Sequence, residues 1–279
     1  MTKFLFKLII ACLIMFSANS VLAVTIKSSS LNPCQGETVE ITVAELAEPI
    51  RPIEFLQQKY KLFLINDSTL NKSYHCLVPI PVTQKPGSYA LKYNNENIGS
   101  LNVKSANFTI QKLTLPKTKD NFIMSPGEAE AIDQAKATLT DRRFFDTKFV
   151  QPVNARVSTQ FGLRRIVNGK LLDDYFHSGI DYAANFNTSI KACAPGIVVL
   201  ARHNFKLHGN TVCINHGQGV VSIYIHMNKI MVKEGQEVKI GQIIGTVGQS
   251  GRANGPHLHF SIYVNQIATN PKYWYEKVY

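Results

Sequence analysis

Two stretches early in the chain alternate polar and apolar residues, Thr38-Val39-Glu40-Ile41-Thr42-Val43 and Tyr89-Ala90-Leu91-Lys92-Tyr93. A period of two predicts strands with one buried face. Turn residues punctuate them at Gln35-Gly36, Lys85-Pro86-Gly87 and Asn94-Asn95-Glu96-Asn97. Residues 24–115 therefore read as a small, sandwich-like β domain with no catalytic constellation of its own. The pattern changes at Ser125-Pro126-Gly127-Glu128. An N-cap serine, a proline at the first helical position and a glutamate three after the cap predict a helix, carried by the alanine-rich run to about Thr140. Residues 116–148 form a connector around it. Strand-like stretches return at 196–201, 211–215, 220–226 and 258–264, punctuated by glycine, and define a second β domain over 149–279. The fold class is mainly β, without internal repeats or low-complexity tracts.

Residues 1–23 stand apart. Lysines at 3 and 7, an apolar run from Leu8 to Phe16 and Val21-Leu22-Ala23 give the order of a secretory signal peptide, with cleavage expected after Ala23. The run is shorter than the ~20 apolar residues of a membrane span. Ile9-Ile10-Ala11-Cys12 loosely resembles a lipoprotein site but sits too early in the run. The expectation is export, to the periplasm first, with an outer-membrane lipoprotein or a fully secreted protein as alternatives. The formal charge is +11, and loss of Lys3 and Lys7 leaves +9. A basic exported protein meets anionic partners such as cell-wall carboxylates and phosphates. No nucleic-acid motif accompanies the charge, so nucleic acid is not expected as a partner. Cys34, Cys76, Cys193 and Cys213 remain after cleavage. An even number in an oxidising compartment permits two disulfides, with Cys34–Cys76 and Cys193–Cys213 the simplest of three pairings. Their spacing offers no CxxC metal site.

The chemistry-bearing residues cluster in the second domain. Three patterns are His177-Ser178-Gly179-Ile180-Asp181, Tyr224-Ile225-His226-Met227 and Gly255-Pro256-His257-Leu258-His259-Phe260. Histidines two apart on a strand share a face, about 6.5–7 Å apart. One can bind a metal while the other reaches water or substrate, and spacing does not say which. His177 and Asp181 would be about 13 Å apart on a straight strand. They reach one ion, at about 2.0–2.2 Å per ligand, only if the chain bends at Ser178-Gly179. Taken alone, that motif reads equally well as a turn with a surface histidine. Two histidines and a carboxylate with an open fourth position make a catalytic zinc arrangement, and further histidines would serve proton transfer or the oxyanion.

These patterns resemble the lysostaphin-type (LytM-like) zinc metalloendopeptidases of peptidoglycan. The likeness runs from Phe161-Gly162-Leu163-Arg164-Arg165 through the three histidine patterns, Gly209-Asn210-Thr211-Val212 and Gly245-Thr246-Val247-Gly248, over residues 149–272. It implies an antiparallel β domain with one Zn2+ in a groove, held by His177, Asp181 and His259. His226 and His257 would be the catalytic histidines, and peptidoglycan stems or cross-links the substrate, with a D-alanyl–diaminopimelate bond as the expected target. Departures at Asp173-Asp174, Asn187 and Ser261 bear on substrate preference, since none is a ligand. Tyr175 and Tyr224 are candidate oxyanion or substrate contacts, with packing as the plainer reading. His203 and His208 read as surface residues and His216 as structural. The runner-up function is a non-hydrolytic activator or wall-binding regulator of other wall hydrolases, a class marked by lost ligands. Inhibition within the chain is a further expectation, with the first domain or the connector partly covering the groove.

Overall fold

The computed structural model describes residues 25–44, 46, 48–68, 71–114, 123–172 and 175–279. The expected leader and Asp173-Asp174 lie outside these residues. Among the described residues, no helix is long and apolar enough to cross a membrane.

The first domain is a two-sheet sandwich. Its strands are β1 (Thr25–Ser28), β2 (Thr38–Ala44), β3 (Ile53–Phe55), β4 (Gln58–Tyr60), β5 (Phe63–Ser68), β6 (Asn71–Pro79), β7 (Gly87–Tyr93) and β8 (Glu96–Val103). They pair in the orders β1-β2-β6-β5 and β4-β3-β7-β8. Val39, Ile41 and Val43, the apolar half of the β2 alternation, pack with Ile53, Phe55 and Leu101 of the other sheet in one core. The next strand, β9 (Ile110–Leu113), leaves the sandwich. It pairs in parallel with β11 (Arg164–Val167), which follows β10 (Arg156–Thr159) and forms a hairpin with β12 (Lys170–Leu171). The end of the first domain thus becomes part of the second.

The second domain continues with β13 (Ile180–Ala183), β14 (Ser189–Lys191), β15 (Gly196–Phe205), β16 (Gly209–Gly217), β17 (Val220–Ile230), β18 (Glu237–Val238), β19 (Ile243–Val247), β20 (Leu258–Val264) and β21 (Ile267–Thr269). The main path of its large sheet is β10-β13-β20-β17-β16-β15-β18, antiparallel throughout. One face carries the main core, in which Trp274 of helix α2 (Pro271–Glu276) stacks on Phe149 with ring centroids 4.8 Å apart. The other face carries the connector helix, α1 (Glu128–Lys136), whose Ile132 and Ala135 cover Leu200, Cys213, Val221, Ile223 and Ile225.

Two local expectations change. The residue capping α1 is Gly127 at φ +74°, and Ser125 instead donates its backbone N–H and hydroxyl to the Glu128 carboxylate, at 2.7 and 2.6 Å. The helix stops at Lys136, short of Thr140, because the chain beyond is drawn to the domain boundary. There the Gln218 backbone N–H donates to the Thr140 carbonyl at 2.8 Å. That boundary is closed. Leu77 of the sandwich joins the core of the second domain, Asn265 Nδ2 donates to the Leu77 carbonyl, and the His75 ring sits between Glu40 and Gln218.

The expected disulfides are not formed, and all four cysteines are free thiols. Strand alternation keeps the second pair apart. Cys213 lies in the cluster under α1, whereas Cys193 lies in the main core on the opposite face. Cys76 is sealed inside the sandwich core while Cys34 is only half-buried, in a bridge to Lys104. Burial pushes the Cys193 thiol up to about 12 and raises Cys76 and Cys213 further.

Candidate metal centre

Three side chains converge on the face of the sheet opposite the main core. Asp181 in β13 lies directly across from His259 in β20. They meet as a cross-strand pair, with Asp181 Oδ1 2.8 Å from His259 Nδ1. His177 precedes β13, and its Nε2 lies 3.0 Å from both of those atoms. The return of the chain depends on Gly179. A Cβ there would sit 2.2 Å from the Phe260 carbonyl oxygen and 2.4 Å from Ser261 Oγ. Gly179→Ala is therefore expected to cost about 1–3 kcal/mol, the usual penalty of overpacking, and to spread the three ligand atoms. A thermal melt and a metal titration measure the two effects.

The donor set fits a metal ion. His177 Nδ1 faces the Gln160 carbonyl at 2.9 Å. A carbonyl only accepts, so Nδ1 carries the proton and Nε2 is a lone pair. His259 Nε2 is oriented by Ser261 Oγ at 2.8 Å. Two acceptors, His177 Nε2 and Asp181 Oδ1, thus face each other at hydrogen-bonding distance, and a cation between them resolves the conflict. The triangle's edges approach the ~3.3 Å between ligand atoms of a tetrahedral ion with ~2.0–2.1 Å bonds. Burial opposes ionisation of Asp181, but His259, 2.8 Å away through Nδ1, offsets it, and the carboxyl is held far below the usual range. Burial lowers His259, against the pull of Asp181. Among the described residues this is the single group of three or more ligands placed to hold an ion.

The two remaining histidines stand beside this triangle, with the His226 and His257 ring centroids 4.8 Å apart. His226 arrives there by breaking a rule. Along β17, Val220 and Tyr224 point into the main core and Val221, Ile223 and Ile225 to the α1 side. Alternation would send His226 with Tyr224. Its φ is instead +61°, and the pairing register slips across it, between Tyr224 and Met227, and again between Met227 and Lys229. His226 therefore stays on the groove side, and Met227 takes the core position at 0% exposure. A left-handed non-glycine residue costs on the order of 1–3 kcal/mol and persists where its surroundings impose it. Here the His226 backbone N–H donates to the His208 carbonyl at 2.9 Å, and Nδ1 to the Ser250 carbonyl at 2.9 Å. Burial, reinforced by His257 and His259, lowers His226 to about 3. His257 Nδ1 likewise donates to the Gly255 carbonyl, at 2.9 Å. Both rings keep Nε2 as the lone-pair nitrogen. The whole lines a groove of about 520 Å³.

The model of peptidase family M23 matches residues 175–271, a span that holds the triangle and both flanking histidines. Residues 175–271 are thus similar to an M23 peptidase domain. Over 119 residues the chain is 41% identical to the peptidoglycan DD-endopeptidase ShyC of Vibrio cholerae, covering 42% of this chain and 27% of that protein. It is 38% identical over 119 residues to the DD-carboxypeptidase/endopeptidase Mpg of Neisseria meningitidis, covering 43% and 27%. The chain thus matches about a quarter of the length of these curated relatives. The crystal structure of a putative peptidase M23 from Pseudomonas aeruginosa is similar with a TM-score of 0.63 at 25% identity, covering 87% of this chain and 95% of that one. That likeness extends through the first domain.

Within the matched region, the structure separates the two candidate tyrosines. Tyr175 lines the groove, with the Arg165 guanidinium 5.1 Å from its ring centroid. Tyr224 does not reach the groove: it is fully buried in the main core, and its hydroxyl takes the Cys193 backbone N–H at 2.9 Å. His216 is structural, held between the Pro195 carbonyl and Ser222, with burial lowering it to about 4. His203 is exposed. His208 is not a plain surface residue, because it lines the groove and bonds Glu128 of α1 through Nδ1 at 2.8 Å. Among the described residues, the first domain contributes only Gln111 of β9 to the groove wall, and the connector Ile132.

Proposed function

We propose that this chain is a zinc-dependent endopeptidase of peptidoglycan, exported to the periplasm, that cuts stems or cross-links at the D-alanyl–diaminopimelate bond. The observation that carries it is the complete set of five groups: His177, Asp181 and His259 with ligand atoms 2.8–3.0 Å apart, beside His226 and His257 with lone-pair nitrogens. The relatives named as peptidoglycan DD-endopeptidases support the substrate and the bond. His177, Asp181 and His259 would hold zinc, which when bound supplies Lewis acidity toward a carbonyl and toward water.

The rest of the chemistry falls to the chain. His226, kept neutral by burial, and His257 can each take a proton from the attacking water at Nε2. Either can return it to the leaving amine. Tyr175 stands in the groove wall where a substrate carbonyl or its developing oxyanion is in reach. The open groove suits an extended peptide, and the first domain sits beside it.

The test is digestion of purified sacculi by zinc-loaded protein, with mass analysis of the products. Cross-linked dimers should be converted to monomeric stems. Cleavage confined to glycine bridges would overturn the bond choice. A chain that neither loads zinc nor cleaves sacculi would be the non-hydrolytic regulator instead.

A further inference from the structure

The carboxylate of Glu128 is 0% exposed, at the start of α1, outside residues 175–271. It gathers six donors. Ser125 gives its N–H and hydroxyl. The backbone N–H groups of Lys206, Leu207 and His208 follow at 2.9, 3.0 and 2.9 Å, and His208 Nδ1 at 2.8 Å. Such a cluster demands an ionised acceptor. Burial opposes this, but the bonds from Ser125 and His208 hold the carboxyl down at about 2.

The turn it grips, between β15 and β16, leads straight to the catalytic groove. The His208 carbonyl takes the His226 backbone N–H and the Leu207 carbonyl takes the Arg252 N–H. Ser250, whose carbonyl holds the His226 ring, is bonded through Oγ to the Asn210 N–H at 2.8 Å. The left-handed backbone of His226 is therefore fixed from a frame whose far anchor is Glu128.

We propose that Glu128 is a positioning residue for the reaction. Acting through the 206–208 turn, it holds the His226 imidazole at the metal centre and the His208 imidazole in the groove wall. The connector helix is then part of the catalytic apparatus, and a chain cut at residue 149 would lose that part. This rests on the endopeptidase reading for its activity arm alone.

Two measurements on the full chain test it. In the first, Glu128→Gln and Glu128→Asp are compared with the parent on a soluble cross-linked peptide, below their melting temperatures. A misplacement of about 1 Å can cost about 100-fold. The glutamine places an amide among donors, so kcat should fall about tenfold to a hundredfold, with zinc content and KM within twofold. Aspartate, which keeps the charge, should recover part of the loss. In the second, histidine ring signals are followed by 15N NMR in metal-free protein. Glu128→Gln should move those of His226 and His208 and leave those of His177 and His259 in place. Should the glutamine variant not fold, the aspartate variant carries both measurements, with smaller changes of the same pattern. A folded variant with unchanged kcat and an unmoved His226 signal overturns the proposal, as does a loss confined to KM. If the parent cleaves nothing, the endopeptidase reading fails, and the NMR comparison still decides the positioning role.

Discussion

Replacing His177, Asp181 or His259 by alanine is expected to remove both the bound ion and the activity. Each side chain supplies one corner of a triangle 2.8–3.0 Å on edge. Two protein ligands rarely retain a zinc ion that three hold with an open fourth position. Lewis-acid stabilisation is worth several kcal/mol, and ~4 kcal/mol is about a thousandfold in rate. Activity should therefore fall by about a thousandfold or more, with zinc dropping from one ion per chain to near none. Metal analysis of protein purified without added zinc, beside turnover on sacculi, reads both. Stoichiometric zinc in any of the three variants would remove that residue from the ligand set. Stability gives a further sign. Without the ion, Asp181→Ala also removes the acceptor conflict with His177 Nε2, so the metal-free variant should not melt below the metal-free parent by as much as the loss of a buried, fully satisfied carboxylate would cause.

How much of this was visible in the chain follows from how local each feature is. The β2 alternation needs only its own residues, and the sandwich core uses the apolar half as read. The bend at Ser178-Gly179 was legible because His177 and Asp181 can share an ion in no other way. Gly179 shows why, lying too close to the Phe260 carbonyl for any Cβ. Facing was not legible where the backbone departs from regularity. Nothing in Tyr224-Ile225-His226 announces a left-handed histidine, so the pattern could not say whether Tyr224 was a groove contact or a packing residue. The structure sends Tyr224 to the core and His226 to the groove. The same blindness to facing made Cys193 and Cys213 look like a pair across a sheet that separates them. Glu128 was read as a helix-capping residue, which it is toward Ser125. Its bonds to residues 206–208 span some eighty positions, and no local pattern encodes them. His208 went with it, since its role exists only once Glu128 is in place.

His226→Ala and His257→Ala are expected to part chemistry from metal binding. Neither side chain belongs to the ligand triangle, so both variants should load zinc like the parent. Each ring has its Nδ1 committed to a carbonyl, of Ser250 or Gly255, which leaves Nε2 to work on the reacting groups. Positioned proton transfer typically contributes about 10²–10⁴-fold, and each variant should lose turnover in that range. The two losses should not add in the double variant. The rings lie 4.8 Å apart on one groove wall, and groups that act as a unit are non-additive. His226 carries an extra consequence, because alanine inherits its left-handed backbone without the ring bond to Ser250. That variant should melt lower than His257→Ala, whose residue sits at a strand entrance with no such strain reported by its φ. Parallel measurement of zinc content, kcat and melting temperature distinguishes the cases. Full turnover in either variant would strike that histidine from the chemistry, and loss of zinc would make it a ligand.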